Sequence, residues 1–187
     1  MDRMAAKSWR EQPRVLSRHL RRRSTPNLRR RRGIVGLAFT AAAGMGLIGL
    51  FQIGILRHLP EPPLPVFDAD KVDGSAEAYS LLATPDAFIG LASYSLTAAL
   101  AAAGGPDRPA DRPWLPLAMA GKVMADAVQA ARLSRDQWVR HRAFCIWCLL
   151  AAGATFAAVP LALGEARDAI RELAGSARAR RKESLIP

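Results

Sequence analysis

The stretch "AFCIWCLLAAGATFAAVPLAL", Ala143 to Leu163, holds no charged residue and carries both cysteines of the chain, Cys145 and Cys148. As a helix it is long enough to cross a bilayer core of about 30 Å, which takes about 20 residues. Pro160, near its far end, is a place for a kink. The segment before it, Leu133 to Arg142, is polar and basic. A C-x-x-C pair therefore sits where an aqueous loop turns into an apolar helix.

Working outward, three more apolar runs precede it. Ile34 to Leu56, "IVGLAFTAAAGMGLIGLFQIGIL", is uncharged and of spanning length. It is too long for the core of a cleaved signal peptide, and no small-x-small site follows it, so it reads as a retained span. Ala87 to Ala103, "AFIGLASYSLTAALAAA", is just long enough. Trp114 to Ala131, "WLPLAMAGKVMADAVQAA", is the weakest, because it holds Lys122 and Asp126. Four residues apart, these two share a helix face and can pair. Alone in lipid, each would cost at least ~2.5 kcal/mol. An amphipathic helix lying on the surface is the rival reading for this segment.

The connections are polar. Arg57 to Pro85 starts with the extended "LPEPPLP" and continues as "FDADKVDGSAEAYSLLATP". Asp68, Asp70 and Asp73 miss the alternating spacing of a calcium loop. "GGPDRPADRP" is a tight turn.

The chain carries 27 Lys and Arg against 16 Asp and Glu, for a formal charge of +11. Twelve of those bases precede Gly33 and six follow Gly164. Mean hydropathy is only +0.04 because charged ends dilute an apolar middle. The basic tails lack the interleaved aromatics and folded scaffold of a nucleic-acid module, which argues against nucleic acid as a partner. Beside anionic headgroups, charge would hold the first tail to membrane lipid. The expected organisation is a basic cytoplasmic tail over 1–33, a four-span membrane domain over 34–163 and a charged cytoplasmic tail over 164–187. The fold class expected is all-α, an integral membrane four-helix bundle with both termini in the cytoplasm. The tails are expected to be solvated and largely disordered, the second after a short helix. Arg135, Arg140 and Arg142 oppose this orientation, since their loop must then face outward.

In this topology Cys145 and Cys148 lie on the oxidising side of a bacterial membrane, where disulfides persist. The helix N-terminus and the nearby Arg140 and Arg142 favour thiolates. Zinc would need four ligands, and His141 is the nearest histidine. Packing alone is a further reading. A structural disulfide would join distant segments, which this spacing does not. A redox dithiol at a membrane surface needs a lipid-soluble electron acceptor, and quinones are the candidates.

Three segments, in order, carry a resemblance to the vitamin K epoxide reductase family, including its bacterial disulfide-forming members. "AFCIWCL", Ala143 to Leu149, is very close to that family's active-site segment. "PDAFIGLASYS", Pro85 to Ser95, is similar to the start of its second span, with Gly90 and Tyr94 in place. "ADKVDGS", Ala69 to Ser75, is similar to a loop motif of cysteine, valine and serine at three-residue steps. The resemblance implies that Cys148 contacts the quinone (ubiquinone or menaquinone) and that Cys145, nearer the surface, exchanges disulfides with a separate thioredoxin-like thiol protein of the periplasm. Asp86 stands where some members place a polar quinone contact, and Ser75 matches the loop serine. One departure is plain: family members relay electrons through two loop cysteines, and here Ala69 replaces the second while no cysteine replaces the first. The expected function is a quinone-linked thiol:disulfide oxidoreductase of the bacterial inner membrane. The alternative is a non-catalytic membrane partner or assembly protein that keeps the fold.

Overall fold

The computed structural model describes residues 13–81 and 83–183. The expectations for the two tails at 1–12 and 184–187 fall outside the described residues. Every regular element among the described residues is helical, apart from one isolated parallel bridge between Phe67 and Phe144.

Four long helices dominate: α1 (Pro26–Gln52), α2 (Asp86–Ala102), α3 (Trp114–Asp136) and α4 (Ile146–Glu183). α1 packs along both α2 and α4, and α3 packs mainly along α4. The facing surfaces are built from small residues. Ala38 and Ala41 of α1 are buried, as are Ala151, Ala154, Ala158 and Ala162 of α4. Small side chains let helix backbones approach closely without help from water exclusion. At Gly90 of α2, an added Cβ would lie 2.8 Å from Met45 Sδ of α1, so a larger residue there would make the flexible Met45 side chain shift.

Two helices, α1 and α4, are long and apolar enough to cross a membrane, and α2 is a shorter apolar helix. α3 pairs its Lys122 with Asp126. Lys122 Nζ also donates to Ser93 O at 2.6 Å, Ser93 Oγ at 2.8 Å and Thr97 Oγ1 at 2.6 Å, all on α2. The ammonium thus has its donors used inside the protein, which offsets much of its desolvation.

Both apolar runs at the chain ends turn out to be parts of longer helices. Thr25 caps α1 by accepting from Leu28 N at 3.2 Å, and Pro26 occupies the first turn, where a missing N–H is harmless. α1 therefore starts inside the arginine run, which corrects the expectation of a disordered tail up to residue 33. A further helical stretch covers 13–22. α4 likewise continues past residue 163 to Glu183 without a break, with Pro160 inside it. The expected short, separate helix is the continuation of the last span.

Arg31 shows why the arginine run is ordered. It is buried, and its guanidinium donates to the carbonyls of Ala101, Ala102, Ala103, Gly104 and Gly105 at 2.7–3.1 Å. It thereby satisfies the free carbonyls at the C-terminal end of α2. Arg108 adds bonds to Leu100 O and Ala103 O, and forks onto Glu165 of α4 at 2.8 and 2.6 Å. Both partners of that ion pair are fully buried. Replacing Glu165 by Gln leaves Arg108 charged and unmatched. We expect Glu165→Gln to cost about 3–5 kcal/mol, while the double change Arg108→Leu/Glu165→Leu costs less than the single one. Thermal unfolding of the three proteins in detergent checks this ordering.

Candidate functional site

The dithiol is built by the turn that joins α3 to α4. α3 ends in a wide helical turn, Gln137–His141, and Arg142 then adopts a left-handed backbone at φ 53°. Such a φ is uncommon outside glycine. Here the Arg142 guanidinium sits 5.7 Å from the Trp138 ring centroid, and Trp138 stacks on Phe144 at 5.5 Å. The sharp reversal delivers Cys145 to the N-cap position of α4. Cys145 O accepts the first helical bond, from Leu149 N, and Cys145 Sγ accepts from Cys148 N at 3.3 Å. Cys145 N donates to Gln137 Oε1 at 3.1 Å. One sulfur therefore caps the helix that carries the other. Both thiols are free.

The first loop folds over this turn. Phe144 N donates to Val66 O at 2.9 Å, and Asp68 N donates to Phe144 O at 3.1 Å. Trp147 Nε1 donates to Pro60 O at 2.8 Å. The loop acids mostly serve backbone amides. Asp68 caps the short helix Ala69–Asp73 through Lys71 N, Glu61 accepts from Ala69 N, and Asp70 accepts from Leu59 N. Ala69, which the resemblance sets in the place of a loop cysteine, lies with Val72 in the same buried cluster as Cys145.

This packing corrects one expectation. Cys145 is not the sulfur nearer the surface: it is 0 % exposed, sealed by the loop and by Ala143. Cys148 is only partly buried and lines a cleft of about 340 Å³ with Met45, Asp73, Asp86, Gly90 and Tyr94. Depth along the helix axis does not set exposure here, because the loop covers the helix end.

Asp86 opens α2, and its Oδ1 accepts from Gln52 Nε2 at 2.7 Å. The same amide donates to Asp73 O at 3.2 Å and accepts from Ala87 N at 3.2 Å. Tyr79 OH donates to Gln52 O at 3.0 Å. Tyr94 OH, deeper in the cleft, bonds Thr155 Oγ1 at 3.2 Å. Ser75 precedes the turn Ala76–Tyr79, makes no capping bond there, and lines an adjoining cavity beside Cys148.

Sequence reasoning missed two residues of this site. Gln52 was legible as the one amide of the first apolar run, and polar groups in such runs mark function. Asp73 gave no such signal among the loop acids. It turns inward, and Cys148 Sγ lies 3.5 Å from its Oδ1. Its Oδ2 is buried without a hydrogen-bond partner. The donor atoms of Asp73, Cys145 and Cys148 all fall within 4.8 Å of one another. Three donors are one fewer than a structural zinc site uses.

Burial pushes the Asp73 carboxyl from its ordinary 3.8 up to about 6; bonds from Cys145 and Cys148 oppose the rise, while Asp86 and Glu61 add to it. The folded state thus holds this proton more tightly than the unfolded chain does. Its stabilising effect is complete below the ordinary value and is lost as pH rises through about 6. The full change amounts to about 3 kcal/mol. We expect Asp73→Asn, which cannot ionise, to gain on the wild type by up to that amount between about pH 4 and about pH 7. Unfolding curves in detergent across this range test the sign. The burial difference predicts that an alkylating maleimide reacts with Cys148 in Cys145→Ser at least about tenfold faster than with Cys145 in Cys148→Ser, since a closed site must first open locally.

Two long helices, α3 and α4, meet at the C-x-x-C, a loop is folded onto it, and a cleft with polar and apolar walls runs beside it. The model of the vitamin K epoxide reductase family matches residues 32–163, more than half of the chain. No curated protein and no solved structure matches the chain. With the match reaching into all four long helices and covering the dithiol, the chain belongs to the vitamin K epoxide reductase family.

Proposed function

We propose that this protein is a quinone-linked thiol:disulfide oxidoreductase of the bacterial inner membrane, with four spans and both termini in the cytoplasm. The observation that carries the reading is the placement of Cys148. It forms one wall of a cleft lined by Asp86 and Tyr94, with Cys145 directly behind it.

The cleft suits a quinone head. It combines apolar walls such as Met45 and Ile89 with a few polar groups, the usual composition of a small-molecule site. Asp86 and Tyr94 would hold the head, and a bound quinone supplies a two-electron, two-proton acceptor. The chain's own part is the dithiol. Reduced by a separate thioredoxin-like thiol protein, the pair carries two electrons, and it returns to a disulfide by giving them up. With Ala69 in place of a loop cysteine, exchange with that partner is intermolecular, by thiolate attack on a sulfur of the Cys145–Cys148 bond. The buried state of Cys145 and the missing loop cysteines favour a second reading, a non-catalytic membrane partner or assembly protein.

Purified, reduced protein mixed with ubiquinone or menaquinone in detergent should lose both free thiols, whereas Cys145→Ser and Cys148→Ser each keep their remaining one. Asp86→Ala should slow the oxidation about tenfold, the equivalent of one good hydrogen bond. Its effect on yield should be smaller. Wild-type protein that keeps both thiols under every quinone would leave the non-catalytic reading. Reporter fusions after Pro187 and near Asp70 test the topology: the first should report cytoplasm and the second the outside.

A further inference from the structure

We propose that Asp73 is a catalytic residue of the dithiol, taking the proton of Cys148 as its thiolate forms and returning it when the thiol is restored. The inference rests on the oxidoreductase reading and adds to it a proton acceptor on the loop.

Geometry carries the assignment. Asp73 is 4 % exposed, and its Oδ1 lies 3.5 Å from Cys148 Sγ, with no residue between. Its Oδ2 has no partner, although every neighbouring loop acid has found a backbone amide. An orphaned oxygen on a buried carboxylate is costly to keep. The loop nevertheless holds it there: Gln52 binds the Asp73 carbonyl, and Glu61 and Asp68 fix both ends of the first turn of its helix. Asp73 and Cys148 also line the same cleft.

The chemistry explains why a carboxylate serves here. In the transfer the Sγ–H bond breaks and an O–H bond forms at Oδ1, and no electrons move. A thiol beside a carboxylate becomes a thiolate beside a carboxyl, so the buried pair keeps a single negative charge throughout. Ionising Cys148 to bulk solvent instead would place two negative charges side by side in a dry site. Over the whole oxidation the dithiol loses two electrons and two protons, the amount that would turn a quinone into a quinol. Asp73 accepts the Cys148 proton and releases it to the cleft, and the Cys145 proton leaves there as the S–S bond closes. The other charged or titratable groups around it are Cys145 from the same helix end, Asp86 from α2, Glu61 from the proline-rich loop, Glu77, Asp136, Arg140 and His141 around the adjoining cavity, and Tyr94 and Asp126 along the cleft. A carboxyl that titrates at about 6 is suited to exchanging a proton near neutral pH.

The test uses full-length protein in detergent, with Asp73→Asn and Asp73→Glu. The first readout needs no quinone: the rate of iodoacetamide alkylation of Cys148 against pH, in a Cys145→Ser background. A coupled thiol and carboxyl titrate in two steps, the lower one near Asp73's own value. We expect two steps in the parent, one in Asp73→Asn, and two again, displaced, in Asp73→Glu. The second readout is the quinone-driven oxidation of the intact pair, which Asp73→Asn should slow by about a hundredfold, as loss of a general base does. Superimposable alkylation profiles in parent and Asp73→Asn would overturn the assignment, as would an unchanged oxidation rate. If quinone oxidises none of the proteins but the alkylation profiles differ as expected, the proton acceptor stands and the quinone reading falls. Should Asp73→Asn fail to fold, the displacement of the lower step in Asp73→Glu decides the matter alone.

Discussion

A helix end buried inside a protein leaves carbonyls or amides that water cannot reach, and each must find a partner. That constraint organises this chain. Arg31 reaches from α1 to five carbonyls around the end of α2, and Arg108 shares one of them, Ala103 O, and takes Leu100 O as well while locking onto Glu165 of α4. At the opposite end of α2, Gln52 of α1 receives the amide of Ala87. α4 begins under a sulfur, Cys145 Sγ, with Gln137 serving the amide of Cys145 itself. Several of these long-range polar contacts are thus also caps, and α1 is tied to α2 at both ends of α2.

The same economy builds the site. Gln52 caps α2, holds the Asp86 carboxylate and binds the backbone of Asp73, so one amide ties the cleft wall to the loop. Two backbone bonds between Val66–Asp68 and Phe144 lay that loop across the start of α4. Once it lies there, Cys145 is sealed and Cys148 faces the cleft with Asp73 beside it. Ala69 shares the buried cluster with Cys145. A short apolar side chain at that position closes the core where a loop cysteine would bring a thiol, and the inward carboxylate of Asp73 becomes the nearest reactive group to the pair.

Charge within the helices obeys the same rule. Lys122 would be a heavy burden on an isolated α3, yet Asp126 and the Ser93 and Thr97 oxygens of α2 saturate it. It joins α3 to α2, a pair with otherwise little contact between them. The weakest apolar segment is therefore secured by a polar clamp, and the strong apolar segments by alanine and glycine packing.

Much was legible in the linear chain. The uncharged runs announced α1, α2 and α4, because apolar length is a local property that needs no neighbour to interpret. The four-residue spacing of Lys122 and Asp126 announced their pairing for the same reason. The C-x-x-C and the segments around it announced the family, which its match over residues 32–163 bears out. Tertiary structure alone decided the rest. That the arginine run is helical depends on carbonyls some seventy residues away, which composition cannot supply. That Cys145 is closed and Cys148 open depends on a loop crossing a helix end, a contact between residues far apart in sequence. That Asp73 alone among the loop acids turns inward follows from where its neighbours find amides, since each acid is equally polar until the fold assigns it a partner.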